Sequence, residues 1–190
     1  TPDDLHVVKG GPDGRRGFLD RAVFNRFPAF LKESRAYTRA LKNRNKLLKD
    51  RAEQAYLAAY DGALAQAGAR VWLRRRALMA ELSGRAAAAF ERIGRTADPA
   101  TFRYVAHGLK LPPDAPFDTA DEAQLSAHLL QRLGERLPRD SERGYTSVGP
   151  HADDVALELG GRSARDYASQ GQQRAFVLAD GMDVTGARLE

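Results

Sequence analysis

The chain has 190 residues, of which 43% are hydrophobic and 29% charged, and its formal net charge is +5. This length and composition suit one domain, or one domain with an appendage, and allow a substantial buried core. Because the chain contains no cysteine, disulfide frameworks, thiolate nucleophiles and zinc–cysteine sites are excluded. No apolar run approaches the ~20 residues that span a bilayer, and no signal peptide is visible, so we expect a cytoplasmic protein without a membrane partner.

Positive charge is concentrated in the first quarter of the chain. Between Arg15 and Arg51 there are twelve Lys or Arg and three Asp or Glu, a net charge of +9, whereas the remaining residues sum to −4. A polyanionic partner for this region is one interpretation. A solvated helical surface is the other.

Two helices are predicted in this basic region. Gly10, Gly11 and Pro12 mark a turn, and Asp13 can cap a helix that starts near Gly14. Pro28 suits the first turn of a second helix. From there to about residue 51, apolar residues recur at roughly 100° per residue.

The second helix carries a basic stripe opposite its apolar side. The stripe, which we call the basic face, steps by four, three, four and three residues and consists of Arg35, Arg39, Lys42, Lys46 and Lys49. Arg44 lies instead on the apolar side, where it needs a buried acceptor or a route to solvent.

The region from residue 52 to residue 93 is rich in Ala, Leu, Arg and Glu and lacks proline, which predicts one or two further long helices. Gly62 and Gly68 are possible breaks. An apolar seam is formed by Trp72, Leu73, Leu78 and Leu82. Two long antiparallel helices packed as a hairpin are the natural way to bury it.

The following segment mixes strand and helix signals. "TFRYVAHGL" predicts a short strand, and a proline-rich loop follows it. Thr119 is placed to cap a helix, with Glu122 three residues later as in a capping box. We expect this helix to end at about Leu137, before Pro138.

Near the C-terminal end the apolar period changes to two. "DVALEL" alternates as a half-buried strand does, Gly160–Gly161 predicts a hairpin turn, and "RSARDYA" forms the return. Ser169 then caps a last helix. The fold is therefore predicted to be mainly α with a small β element: a long antiparallel helical hairpin, then a short β-hairpin leading into a final helix.

Several motifs favour structural over chemical roles. "GGPDGRR" lacks the GxxxxGK[ST] spacing of a phosphate loop, so a turn is preferred. Asp153–Asp154 follows no buried strand, so capping or pairing with arginine is favoured over magnesium binding. The four histidines lack metal-ligand spacing, and no nucleophile signature appears. No metal site or catalytic residue is assigned.

"SQGQQR", Ser169 to Arg174, leaves two interpretations open. A helix N-terminus has free N–H groups and a positive dipole end, and Gly171 lets an anion approach the backbone. Ser169, Gln170 and Gln172 add neutral donors. The segment either binds phosphate or is an ordinary capped helix.

Four stretches occur in a characteristic order and separation: "VKGGPDGRRGFLDRAVF", "LKNRNKLL", "GYTSVGPHADDV" and "YASQGQQRAFVLA". Together they closely resemble the bacterial RecF family of DNA replication and repair proteins, SMC-like members of the ABC ATPase class. The resemblance covers nearly the whole chain. Two departures are Ala152, where relatives usually carry arginine, and the glycine-containing sequence after Leu178, where relatives continue a helix.

The resemblance implies that residues 1–190 form the helical second lobe of an ABC-type ATPase head, with the helical hairpin in 14–95 and the β element and signature helix in 96–190. The signature residues would contact the γ-phosphate of ATP held by a second subunit; they are Ser169, Gln170, Gly171 and Gln172. The family's Walker A and Walker B elements are absent, so the segment alone should neither bind ATP tightly nor hydrolyse it. ATP with Mg would belong to the parent protein.

The resemblance further implies that the parent binds gapped DNA or single-strand/double-strand junctions, dimerises on ATP and acts with RecR-type and RecO-type partners. The basic face would supply DNA contacts. An alternative from another class is a helical protein-interaction module without a nucleotide role, in which the hairpin serves as a docking arm.

Overall fold

The computed structural model of the chain describes residues 11–94, 99–109 and 116–164, and the side chains of all of these except 82–94. Its elements in chain order are α1 (Pro12–Arg26), α2 (Phe30–Lys49), α3 (Gln54–Gly94), β1 (Ala100–Val105), α4 (Glu122–Arg143), a 3-10 turn (Pro150–Ala152), β2 (Asp154–Leu159) and β3 (Arg162–Ser163). The predicted class, mainly α with a small β element, is confirmed.

The chain divides into two compact units. One, here the sheet unit, contains α1, the part of α3 from Arg75 onward, and the three strands. The other, here the hairpin unit, contains α2, α3 up to Arg74, α4 and the 3-10 turn. The predicted lobe, with its division into 14–95 and 96–190, stays a prediction.

The antiparallel helical hairpin is confirmed by two ion pairs between α2 and α3. Glu33, near the start of α2, accepts two hydrogen bonds of 2.9 Å from Arg74, whereas Arg44, further along α2, donates to Asp61 at 2.7 Å. The partner's number falls as the number on α2 rises, which only antiparallel helices allow. Residues 50–53 connect the two helices.

The hairpin unit has a continuous apolar core. Its fully or nearly fully buried side chains come from all three helices: Phe30, Tyr37, Leu48, Leu64, Trp72, Leu125, Leu129 and Leu133. Gly68 does not break α3. Its lack of a side chain allows neighbouring helices to pack closely against it. A Cβ built there would lie 2.6 Å from Leu129 Cδ2 and 3.2 Å from Tyr37 Cε2, so α4 approaches α3 closely at this glycine.

The expected start of the first helix is wrong by two residues. Gly11 occupies the N-cap with extended backbone, and Pro12 begins the helix. Proline fixes a helical φ and lacks the N–H that would be unsatisfied there. Asp13 therefore lies inside the first turn, where it pairs with Arg16.

Both predicted ends of α4 are also wrong. The N-cap is Asp121, whose carboxylate accepts from Gln124 N at 2.8 Å while Gln124 Oε1 accepts from Asp121 N at 2.9 Å. Thr119 donates its hydroxyl to a nearby carbonyl instead. The helix continues through Pro138 to Arg143, because Asp140 in its last turn is anchored in the core.

The sheet is antiparallel in the order β1–β2–β3. Ala100 pairs with Leu159 and Val105 with Asp154, so β1 and β2 match along their full lengths. Gly160 and Gly161 have φ values of 57° and 75°, as a two-residue hairpin turn requires. The predicted strand and turn are confirmed. The predicted return "RSARDYA" is strand only at Arg162–Ser163; Ala164 is already helical, and the rest of the return lies outside the described residues.

Candidate functional site

The basic face lies on the solvent side of α2. All five of its side chains are exposed, whereas Phe30, Tyr37, Arg44 and Leu48 on the opposite side are buried. At 1.5 Å per residue the five cations extend over about 21 Å. That length corresponds to roughly six nucleotide steps at 3.4 Å per step.

The other charges of α2 do not neutralise the basic face. Glu33, the single acidic residue within the helix, is held by Arg74, and this hydrogen bond raises the pKa of Arg74 further above its ordinary value. Arg44 is turned into the core. Within the described residues, no cation of the basic face makes an ion pair within 4.0 Å. The face is therefore available to an external anion.

A shallow groove runs along the first half of the basic face. Its volume is about 380 Å³, and it is lined by Ser34, Arg35, Thr38, Arg39, Lys42 and Asn43. Hydroxyl and amide groups thus accompany three of the cations. Such side chains commonly contact phosphate and sugar oxygens, which position a protein on a nucleic acid without reading its sequence.

Arg44 fixes the orientation of α2, and with it the basic face, because the N–H groups of its guanidinium are hydrogen-bonded in the core. Its guanidinium is fully buried and donates to Asp61 at 2.7 Å, Asp140 at 3.0 Å and Thr146 at 2.9 Å. A fourth hydrogen bond reaches the Leu133 carbonyl at 3.4 Å. Of the two expected solutions, a buried acceptor or a route to solvent, the first is found: four acceptors surround Arg44, and they bond α2 to α3, α4 and the loop after α4.

Asn45, next to Arg44, extends this connection. Its Oδ1 accepts from Thr146 N at 2.8 Å and from the Thr146 hydroxyl at 2.7 Å, while Asp140 Oδ1 accepts from Ser147 N at 3.1 Å. The "LKNRNKLL" and "GYTSVGPHADDV" stretches therefore bind each other. These hydrogen bonds give the polar residues of both stretches a structural role.

A close contact shapes the "GPH" segment. Gly149 has φ of 129°, and a Cβ built on it would lie 2.6 Å from Tyr37 Oη. The Tyr37 hydroxyl is 2.6 Å from His151 Nδ1, and His151 Nε2 is 2.9 Å from the Thr146 carbonyl. Because a carbonyl only accepts, Nε2 carries a proton and Nδ1 accepts from tyrosine. His151 is thus a packed histidine.

In the sheet unit, the two arginines of "GGPDGRR" contact Asp153 and Asp154, the last two residues of "GPHADD". Arg15 donates to both carboxylate oxygens of Asp154, at 2.6 and 2.7 Å. Arg16 donates to the Asp153 carbonyl. The interpretation that this acidic pair binds arginine is confirmed for Asp154.

Asp153 belongs to a polar network that sequence reasoning missed. Tyr104 donates to Asp153 Oδ2 at 2.6 Å, Arg75 donates to Tyr104 Oη at 3.0 Å, and Arg75 also makes two bonds to Asp20 at 2.8 and 2.9 Å. Burial raises the pKa of the Tyr104 hydroxyl well above its ordinary value, against the opposing charge of Arg75. Tyr104 therefore stays protonated and remains a donor. Its partners are far apart in sequence, and no local motif announces them.

The four predicted signature residues, Ser169, Gln170, Gly171 and Gln172, lie outside the described residues. The described chain ends at Ala164, directly after the β2–β3 hairpin. The segment thus begins a few residues beyond an element anchored to α1 by Arg15 and Asp154. Its phosphate-binding role stays a prediction.

The described residues contain neither a helix suited to crossing a membrane nor a metal-binding cluster. None of the helices there is both long and apolar enough to cross a membrane. In the same part of the chain, no group of three or more His, Asp or Glu is arranged to hold a metal ion.

Comparison with known proteins identifies relatives of nearly the whole chain. A "DNA replication and repair protein RecF" from Myxococcus xanthus (strain DK1622) is 65% identical over 180 residues, which are 94% of this chain and 46% of that protein. One from Geobacter sulfurreducens is 36% identical over 179 residues, again 94% of this chain and 47% of the relative. No family model matches the chain.

Solved structures agree with the sequence relatives. A chain described as "Structure of the recombination mediator protein RecF-ATP in RecFOR pathway" superposes with a TM-score of 0.85 and 26% identity, covering 97% of this chain and 48% of that one. The corresponding RecF-ATPrS structure has a TM-score of 0.84. The resemblance inferred from the motifs is confirmed, and the chain spans about half the length of the relatives it matches.

Proposed function

We propose that this chain, which corresponds to about half of a RecF protein, is a lobe of a DNA replication and repair ATPase. The likeness to RecF over 94% of the chain supports this assignment. The relatives include structures described as RecF bound to ATP in the RecFOR pathway. The parent protein would bind ATP with Mg and act at gapped DNA or single-strand/double-strand junctions.

The observation that carries the DNA-binding proposal is the state of the basic face. Five exposed cations lie along one helix side and have no ion-pair partner within the described residues. Arg44 and Asn45 hold that helix rigidly from beneath. A rigid, unneutralised row of cations is suited to phosphates.

A salt titration of DNA binding by the full-length protein tests this role. If all five cations meet phosphates of duplex DNA, they contribute a slope of at most about −4.5 to the plot of log K against log salt. Replacing Arg39 by Gln should weaken binding and make the slope shallower by about 0.9. Arg139, an exposed arginine of α4, provides the control: Arg139→Gln should leave the slope unchanged. Equal effects of the two variants would remove the basic face from the DNA interface.

The second part of the proposal concerns nucleotide-dependent dimerisation. The Ser169 hydroxyl, the Gln170 and Gln172 amides and the backbone at Gly171 would bind the γ-phosphate of ATP held by a second copy of the protein. ATP, when bound, supplies the triphosphate that joins the two copies. The residues that hold the β2–β3 hairpin, Arg15 and Asp154 among them, would orient the segment that follows it.

Partners and location complete the proposal. RecR-type and RecO-type mediators are the expected protein partners, since the related structures are described as part of the RecFOR pathway. We expect a cytoplasmic location. The segment by itself, without Walker A and Walker B elements, is expected to be inactive as an ATPase.

A further inference from the structure

One end of the hairpin unit displays an unusual set of exposed aromatic rings. Five large apolar side chains are exposed within the described part of this unit, and three of them are tyrosines: Tyr56 at 61%, Tyr60 at 39% and Tyr145 at 45%. All three lie near the connection between α2 and α3 or at the end of α4. We call them the tyrosine tip.

Tyr145 is located next to the last cation of the basic face. It follows Gly144, the left-handed C-cap of α4 with φ of 73°. A Cβ built on Gly144 would lie 3.3 Å from Lys49 Cγ, so the chain before Tyr145 lies against the Lys49 side chain. Arg143 Nη1 donates to Tyr145 Oη at 3.3 Å.

Tyr56 and Tyr60 lie at the same level on the neighbouring helix. Because Arg44 of α2 meets Asp61 of α3, the residues before Asp61 run alongside the last turn of α2, where Lys49 is. Leu57 and Asp61 face the core, which leaves Tyr56 and Tyr60 on the solvent-facing flank. At a spacing of four residues their Cβ atoms are about 6 Å apart.

The charge around the tip indicates what it recognises. Lys46, Lys49, Arg51 and Arg143 are exposed there, but so are the carboxylates of Asp50, Glu53 and Glu142. Four cations and three carboxylates therefore nearly balance around the tip, which attracts phosphates more weakly than the part of the basic face from Arg35 to Lys42. Its distinguishing feature is accessible aromatic surface, on which unpaired bases stack whatever their sequence.

We propose that the tyrosine tip binds unpaired bases of single-stranded DNA where the strand leaves the basic face. This inference rests on the proposed function, because the basic face must first hold the phosphate backbone. A duplex keeps its bases stacked inside and gains little from the tip. The tip therefore makes the surface selective for DNA with a single-stranded segment.

Fluorescence anisotropy with the full-length protein tests the tip. The probes are a labelled 20-nucleotide oligothymidine and a 20-base-pair duplex. A stacked base typically contributes a factor of about 5 to about 150 in affinity. Tyr56→Leu/Tyr60→Leu/Tyr145→Leu should therefore weaken single-strand binding at least about 10-fold and duplex binding less than about twofold. The matched Tyr→Phe triple variant keeps the rings and should bind both probes normally.

Controls separate the tip from the basic face. Leu130, an exposed apolar residue of α4 away from the tip (46%), serves as the control through Leu130→Ala, which should change neither affinity. Unchanged single-strand affinity in the Leu triple variant, or an equal loss for both probes, would overturn the tip proposal while the basic face stands. If basic-face variants also bind both probes normally, the proposed function fails as well. Circular dichroism of each variant verifies folding.

Discussion

Arg15 and Asp154, separated by 139 positions in the chain, form a two-point ion pair with bonds of 2.6 and 2.7 Å. Their side chains are 10% and 19% exposed. The pair joins the first turn of α1 to the first residue of β2. It thereby holds the β-hairpin that precedes the predicted signature segment.

A double-mutant cycle with Arg15→Ala and Asp154→Asn should show a favourable coupling of about 1.5 to 3 kcal/mol in urea unfolding. Charged hydrogen bonds that are largely shielded from water contribute this much. The exposed pair Arg70–Glu122, with side chains 45% and 43% exposed, is the control and should give less than about 1 kcal/mol. Equal coupling energies in the two pairs would show that Arg15–Asp154 stabilises the fold no more than an exposed ion pair does.

Replacing Arg44 should be far more damaging than replacing any cation of the basic face. Arg44→Met leaves Asp61 and Asp140 buried without their guanidinium, and we expect a loss of about 3 to 5 kcal/mol in the free energy of unfolding. Arg39→Met on the same helix is exposed and should cost less than about 0.5 kcal/mol. A loss below about 1 kcal/mol for Arg44→Met would contradict the buried network.

Two glycines should respond to alanine with opposite signs. Gly149→Ala places a Cβ 2.6 Å from the Tyr37 hydroxyl at a φ of 129°, so we expect a loss of at least about 2 kcal/mol. Gly134 lies inside α4, and a Cβ there meets nothing within 4 Å. Gly134→Ala should therefore stabilise by about 0.5 to 1 kcal/mol. Thermal unfolding measures both, and stabilisation by Gly149→Ala would refute the close contact.

Ionisation of Tyr104 should lower the free energy of unfolding at alkaline pH. Burial raises its pKa well above the ordinary value of 10.0, with Arg75 opposing and Asp153 adding to the rise. The folded state holds the Tyr104 proton more tightly than the unfolded state does. The stabilisation that follows from this difference in pKa is therefore fully present below pH 10. It is lost as the pH rises from about 10 through the folded-state pKa.

Urea unfolding of the unaltered protein and of Tyr104→Phe between pH 8 and pH 11 measures the effect. The difference in unfolding free energy should be constant up to about pH 10 and then shrink, because phenylalanine has no proton to lose. Tyr56→Phe removes an exposed hydroxyl and controls for the loss of a tyrosine elsewhere. A difference that stays constant to pH 11 would contradict the raised pKa.

The sequence pattern predicted the structural features that depend only on residues close together in the chain. The 3.6-residue pattern identified the basic face of α2 and the apolar position of Arg44, and Gly160–Gly161 identified the hairpin turn. These features are local, so the sequence contains their full cause. The buried state of Arg44 could be anticipated, since an arginine on an apolar side needs an acceptor.

Long-range partners could not be predicted in the same way. Asp140 is 96 positions from Arg44, and nothing near either residue specifies the other. The same anchoring explains why α4 passes through Pro138, where local preference places a helix end. The cap at Asp121 was missed because two capping-box patterns overlap there, and the side chain of Gln124 favours the later one.

We propose that the segment Ser169 to Gln172 completes an ATP site in a second copy of the full-length protein. DNA-stimulated ATP hydrolysis by the full-length protein carrying Ser169→Arg tests it most directly, with Ser163→Arg, an exposed position of β3, as the control for an added arginine. We expect Ser169→Arg to abolish turnover while ATP binding is retained, and Ser163→Arg to stay active. Unchanged turnover in Ser169→Arg would mean that "SQGQQR" is only a capped helix and would contradict the ATPase assignment of this lobe.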